Sequence, residues 1–227
     1  MKDNQAAQEN GTSTKERLLQ AATGIFADKG FVSATVREIC QAAGVNVAAV
    51  NYYFGDKEKL YAAVLWNVFE EYGTSKEREI APDPSLAPEE RLARLIRTEV
   101  RYLYQTQSEK ESSGQHFSLF LMEMAHPSPS LGAVVERFIR PDYEQTLEIL
   151  RDILGKDTPR KVLDRCCDSL WGPIMQQIFT WPINDLLTSE RTRPAEDPDE
   201  LAEHITTMTL GGLAALKKEL DKQRNKS

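Results

Sequence analysis

The chain has 227 residues, of which 41% are hydrophobic and 28% charged, and its formal net charge is −7. No apolar run reaches the roughly 18 residues that a transmembrane helix requires, and the polar first residues lack the apolar segment of a secretory signal, so we expect a cytoplasmic protein with no membrane partner. The negative charge argues against nucleic acid, but residues 1–60 carry seven basic and seven acidic side chains, so the excess lies beyond them.

The sequence contains no pattern typical of catalysis or metal binding. Its three cysteines, Cys40, Cys166 and Cys167, include no C-x-x-C spacing, which excludes a disulfide framework and a thiolate zinc site. We interpret them as small buried hydrophobes, with a redox sensor as the alternative. Because G-x-S-x-G, H-E-x-x-H and phosphate-loop motifs are missing, we expect neither an enzyme nor a metal or cofactor.

The first two predicted helices each begin at a capping box. Ser13–Glu16 and Thr35–Glu38 both place a hydroxyl residue three positions before a glutamate, and apolar residues follow the first box at helical spacing. Gly30 and Gly44 are expected to end these helices.

Two further helices are predicted after Gly44. Asn46 can cap a short third helix that ends at Gly55, and Asp56 can cap a long fourth helix that runs to about Tyr72. A short helix, a turn with glycine and a second short helix form a helix-turn-helix, whose second helix enters the major groove of DNA. A plain helical hairpin with no role in DNA binding is the alternative.

The rest of the chain also carries only helical signals. Residues 81–85 are expected to form a linker or a turn, Pro88 to start a helix, and the proline-rich segment 126–129 to end another. A helix over 131–154 contains Pro141, which predicts a kink or a restart of the helix there. Long helices are expected at about 159–180 and 198–220. The prediction is an all-α protein with a tail (1–12), a three-helix helix-turn-helix domain (13–60) and a larger helical domain (61–227) for ligand binding and dimerisation.

Three motifs over about residues 13–66 resemble the DNA-binding domain of TetR-family regulators. They are L-x-x-A-A-x-x-x-F-A-x-x-G-F from Leu18, T-V-R-E-I-x-x-A-A-G-V from Thr35, and x-Y-Y-F-x-x-K-E-x-L from Asn51. The resemblance implies that DNA is contacted by Thr35, Arg37, Asn46, Val47, Ala48, Ala49, Asn51, Tyr52, Tyr53 and Lys57. Thr35, Arg37 and Lys57 would meet phosphates, and Asn46 to Ala49 the major groove.

Three positions in this set have their own interpretation. Val47 stands where many family members carry lysine or a hydroxyl residue, which removes a polar contact and leaves contact with a thymine methyl group. Tyr52 and Tyr53 could alternatively be half-buried packing residues.

The segment over roughly 85–215 resembles the C-terminal domain of CerR/CecR-like regulators. The motifs are M-E-M-A-H-P-S-P-S from Met122 and F-I-R-P-D-Y-E-Q-T-L from Phe138, and the phrase N-V-A-A-V-N-Y-Y-F-G-D-K from Asn46 fits the same subgroup. The resemblance implies a small-molecule site in the helical body. Its candidate residues are Tyr102, His116, Phe117, Phe120, Glu123, Met124 and Trp171. Each could instead be plain core, and His116 and Glu123, seven apart, could be partners.

The resemblance also implies a mechanism. The last two helices would form a homodimer, although some of their apolar residues must belong to each chain's own core. The dimer would bind a palindromic operator in double-stranded DNA, and a small-molecule effector would move helices against the fourth helix and relieve repression. The alternatives are an activator, a DNA-binding structural or cell-division factor with no inducer, and a ligand carrier or enzyme whose helix-turn-helix domain no longer binds DNA.

Overall fold

The computed structural model describes residues 13–77, 83, 85–109, 111–187 and 196–225, which form helices and no strand. The helices are α1 (Thr14–Ser33), α2 (Val36–Ala43), α3 (Ala48–Tyr53), α4 (Lys57–Glu77), α5 (Pro88–Glu109), α6 (Glu111–Ala125), α7 (Leu131–Val134), α8 (Arg140–Leu154), α9 (Arg160–Leu187) and α10 (Pro198–Arg224). A π-helical turn, Val135–Ile139, joins α7 to α8. None of the described helices is both long and apolar enough to cross a membrane.

The start signals predicted for α1, α2, α4 and α10 are confirmed by their side-chain caps. Both capping boxes are closed: the Ser13 hydroxyl and the Thr35 hydroxyl each accept from the backbone N–H three residues on, and the glutamates bond back. Asp56 Oδ1 accepts from the N–H of Lys59 at 2.8 Å, and Asp197 caps α10 in the same way. These caps satisfy amide groups that a helix cannot pair internally.

Two expected breaks differ from the prediction in detail. Gly30 has φ +71°, so it interrupts α1 as expected, but helical geometry resumes and α1 continues to Ser33. Near Pro141 the helix restarts rather than continuing: the π-helical turn ends at Ile139, and α8 begins at Arg140 with Pro141 in its first turn. A proline cannot donate the backbone hydrogen bond that a continuous helix would need there.

The chain divides into two compact units. The first contains the described residues of Met1–Glu71 together with Glu111–Val135, so that α6 belongs with α1, α2, α3 and most of α4. Helix α1 packs against both α2 and α6. The core of this unit is fully buried and includes Leu18, Ala22, Phe26, Ile39, Val50, Leu60, Val64 and Leu119.

The second unit contains the described residues of Tyr72–Lys110 and Glu136–Ser227. Within it α5 packs against α10 and α8, and α9 packs against α8 and α10. Its core includes Leu92, Ile96, Leu147, Leu150, Leu163, Leu170, Ile174 and Ile205. The predicted domain boundary after residue 60 was drawn by function and does not coincide with the division into these two compact units. It stays a prediction.

Candidate nucleic-acid interface

The turn between α2 and α3 is built around a left-handed glycine. Gly44 has φ +65° and ψ +38°, and its N–H donates to the carbonyls of Cys40 and Gln41. Glycine adopts this conformation without the steric cost that a Cβ atom would bring. The chain can therefore reverse over a few residues and place α3 across the end of α2, as a helix-turn-helix requires.

Asn46 closes the start of α3, one residue away from the expected position. The helix begins at Ala48, and Val47 occupies the cap position without a side-chain hydrogen bond. The Asn46 Oδ1 atom instead accepts from the Ala48 N–H at 2.9 Å. The side-chain oxygen of Asn46 is thus engaged in a hydrogen bond that holds the start of α3 in place.

One face of α3 is buried and the opposite face is exposed. Val50 is completely buried against the core, whereas Val47, Ala48 and Asn51 lie on the surface. Tyr52 is 81% exposed and Tyr53 41%, and their rings stack edge to face with centroids 4.9 Å apart. Tyr52 is therefore a surface residue and not part of the core, while Ala49 is half-buried.

The side chain of Thr35 is engaged in hydrogen bonds within the protein, whereas that of Arg37 is exposed at the surface. The Thr35 hydroxyl donates to Glu38 Oε2 at 2.7 Å and accepts from the Glu38 N–H, so it is occupied by the capping box. Lys29 Nζ lies 2.7 Å from Glu38 Oε1, and this contact, followed by the Thr35 bonds, lowers the pKa of Glu38 to about 2. Arg37 is exposed, with no ion pair within the described part of the chain.

Lys57 is held against the end of α1. Its Nζ donates to the Val32 carbonyl at 3.3 Å and lies 4.7 Å from the centroid of the Phe31 ring. Phe31 in turn lies 4.9 Å from the ring of Tyr61. The ammonium group is fixed at the start of α4 by these contacts, and sequence reasoning missed Phe31 because nothing local marks it as a partner of Lys57.

Glu123, one of the candidate ligand residues, lies at the centre of a buried hydrogen-bonded cluster. Its Oε2 accepts from the Tyr61 hydroxyl at 2.7 Å, and its Oε1 accepts from the N–H and hydroxyl of Ser128 at 2.8 and 2.7 Å. Burial, followed by the bond to Glu123, raises the pKa of Tyr61. Tyr61 and Ser128 therefore engage this carboxylate, for which the sequence offered His116 as a possible partner. No local sequence pattern marks Tyr61 or Ser128 as its partners.

The other candidate ligand residues lie in separate parts of the chain. On α6, His116 and Phe120 are half-buried, Met124 is exposed, and the side chain of Phe117 lies outside the described residues. The Phe120 ring lies 6.5 Å from that of Phe69 on α4. Tyr102 on α5 and Trp171 on α9 belong to the second unit, where both are half-buried.

Two family models match the chain over the regions that the motifs indicated. The model for bacterial regulatory proteins of the tetR family matches residues 18–64, and the model for the C-terminal domain of the HTH-type transcriptional dual regulator CecR matches residues 88–213. The chain belongs to the TetR family. This confirms the resemblance and identifies a transcription regulator with a helix-turn-helix followed by a larger helical domain.

The TetR-family relatives include proteins matched over very different lengths. CecR of Shigella flexneri is 31% identical over 164 residues, which cover 68% of this chain and 71% of CecR. The "Probable HTH-type transcriptional regulator YttP" of Bacillus subtilis is 33% identical over 84 residues, 37% of this chain and 41% of YttP. FadR of Bacillus subtilis, solved with stearoyl-CoA, has a TM-score of 0.62 and 16% identity over 86% of this chain and 97% of FadR, which confirms the all-α fold.

Proposed function

We propose that this TetR-family protein is a homodimeric repressor that binds an inverted-repeat operator and is released by a small molecule. The observation that carries the proposal is the exposed face of α3, held over a buried core by the turn at Gly44 and by the Asn46 cap. Such a face can enter the major groove because its exposed side chains Val47, Ala48 and Asn51 stand clear of the packing of Val50.

The operator contacts of the proposal are those implied by the family motifs. Val47, Ala48, Ala49, Asn51, Tyr52 and Tyr53 face the bases and the neighbouring backbone, and Asn46 supports them. Arg37 and Lys57 meet phosphates on either side, where charge attraction gives affinity without sequence preference. Thr35 contributes through the position of α2, because its hydroxyl is already used by the capping box.

Exposed apolar side chains on α9 and α10 support a homodimer. Phe179, Ile183 and Leu187 follow one another at helical spacing on α9 and are exposed, as is Met208 on α10. Leu163, Leu170, Ile174, Ile205 and Leu213, by contrast, are buried in the core of their own unit. An exposed apolar stripe of this kind is typical of a surface that a second copy covers.

The effector part of the proposal rests on α6. His116, Phe120 and Met124 on this helix combine apolar surface with one polar ring, as a small-molecule contact surface requires. Tyr102, Phe117 and Trp171 remain candidates for effector contact. Glu123 already accepts three hydrogen bonds, from Tyr61 and Ser128, and its role is to hold α6 in place. An effector acts by binding more tightly to the form with low DNA affinity.

The deciding experiment is selection of binding sites from a random duplex library at near-physiological salt. We expect an inverted repeat. Lys57→Ala should then weaken binding to all sequences alike. It should also make the slope of the logarithm of the association constant against the logarithm of salt concentration shallower by about two, because each of the two half-sites has one phosphate fewer paired with a cation. Lys59→Ala is the matched control, because its ammonium already pairs with Asp56 at 3.2 Å. Equal affinity for all duplexes would contradict the proposal.

The dimer is tested separately by sedimentation. Ile183→Glu should convert the protein to a monomer, because it places a charge within the exposed stripe of α9, whereas Glu203→Lys on α10 should leave the assembly unchanged. A wild-type protein that sediments as a monomer over the concentration range of the DNA assay would contradict a preformed dimer.

A further inference from the structure

Helix α3 and the residues that flank it carry no charged side chain. Residues 45–55 include no lysine, arginine, aspartate or glutamate. The commonest specific base contact in DNA complexes is an arginine or lysine that bonds to O6 and N7 of guanine. Helix α3 cannot make this contact, so any base preference that it generates must come from amide groups, from the tyrosine hydroxyls or from apolar groups.

The exposed groups of α3 match one type of base pair. Val47, 45% exposed, and Ala48 present methyl groups, and Asn51 presents an amide on the same face one turn further along. Methyl groups pack against the C5-methyl of thymine, and an asparagine amide can bond to N6 and N7 of adenine. The methyl groups therefore complement the thymine, and the amide the adenine, of an A·T pair.

Asn46 does not compete for the amide role. Its Oδ1 accepts from the Ala48 N–H at 2.9 Å, and a bidentate bond to adenine needs both the oxygen and the nitrogen of the amide. Asn51 has no such bond to the start of the helix, so it is the amide on this face that can offer both atoms. The methyl groups of Val47 and Ala48 lie on the N-terminal side of it.

We propose that α3 reads A·T base pairs, with Val47 and Ala48 packed against thymine methyl groups and Asn51 bonded to adenine. The inference rests on the proposed function, since it assigns the base preference of the same surface. Guanine contacts, where the operator has them, then come from outside α3.

The test removes single methyl groups from the DNA. In the selected operator, each thymine is replaced in turn by deoxyuridine, which differs only in lacking the C5-methyl. We expect at least one position per half-site at which affinity falls about fourfold, the effect of one buried methyl group, and the effect should multiply when both half-sites are changed. Replacing the A·T pair by G·5-methylcytosine should cost less than replacing it by G·C.

Protein variants assign the effect to Val47. Val47→Ala, which shortens the side chain, should reduce the difference in affinity between the thymine and deoxyuridine operators at the thymine that Val47 contacts, while Val47→Thr, which keeps one of the two γ-methyl groups, should retain more of the difference. Val32→Ala is the matched control, because Val32 is a more exposed valine of the same unit, at the end of α1. It should leave the response to deoxyuridine unchanged.

The outcomes separate this inference from the function on which it rests. An inverted repeat with no deoxyuridine-sensitive thymine, or one in which Val47→Ala leaves the sensitivity of every such thymine unchanged, would overturn the reading of A·T pairs by α3 and leave the proposed regulator function in place. A failure to select any sequence would overturn the proposed function itself. A sensitive thymine whose effect is reduced in Val47→Ala would support both.

Discussion

Replacing Glu123 by alanine should destabilise the first unit because three donors lose their acceptor together. The Tyr61 hydroxyl is buried away from solvent, whereas Ser128 is half-exposed. Hydrogen bonds to a charged group each contribute about 1.5–3 kcal/mol. Removing the buried charge also relieves its desolvation, and a net loss of about 3 kcal/mol is therefore expected.

Urea denaturation followed by circular dichroism measures this loss. For a chain of this size about 3 kcal/mol corresponds to a fall in Tm of roughly 6–12 °C. Tyr61→Phe removes only one of the three bonds and should cost about 1–2 kcal/mol. Because the two residues share that bond, the double variant Tyr61→Phe/Glu123→Ala should lose less than the sum of the single variants.

Glu203→Ala is the control for this prediction. Glu203 is an exposed glutamate of α10, and its replacement should change the free energy of unfolding by less than about 0.5 kcal/mol. The hydrogen-bonded cluster would be refuted as a stabilising element if Glu123→Ala behaved like Glu203→Ala, or if the double variant were strictly additive.

Other sites give three further predictions. The pKa of Glu38 in the folded protein is about 2, below its ordinary value of 4.5, so the contribution of Glu38 to stability is complete above pH 4.5 and is lost as the pH falls toward 2. The drop in Tm over that range should therefore be smaller in Glu38→Gln than in the wild type. An identical drop would contradict the contact with Lys29. Burial raises the pKa of the Cys167 thiol to about 12, so iodoacetamide should label it slowly in the folded protein and rapidly in urea, and equal rates would favour a redox sensor. Gly44→Ala should cost about 1–2 kcal/mol in denaturation, because alanine is strained at φ +65°, and a neutral effect would mean that the turn relaxes.

Local patterns predicted the helices well because caps depend on residues three positions apart. Ser13 with Glu16 and Thr35 with Glu38 are close together in the sequence, and their hydrogen bonds form as soon as the helix does. The same locality explains the error at Gly30, whose positive φ breaks the helix without preventing a further turn to Ser33.

Contacts between distant residues could not be predicted in this way. Tyr61 and Glu123 are 62 positions apart, and neither carries a signal that names the other. The spacing of seven within one helix suggested His116 as a partner for Glu123, because helical periodicity relates only residues on the same element. The exposed face of α3 was predicted from motifs, and the structure adds that Thr35 and Lys57 already have contacts within the protein.

The division of the first unit into two stretches of chain has a consequence for synthesis. When α1 to α4 leave the ribosome, α6 does not yet exist, and the Tyr61 hydroxyl lacks its acceptor until 62 more residues have been added. At about 5–20 residues per second this interval lasts roughly 3–12 seconds. The nascent DNA-reading segment therefore presents an open apolar face during that time, and a fragment truncated near Glu71 would keep that face open permanently, as a substrate for chaperones and proteases.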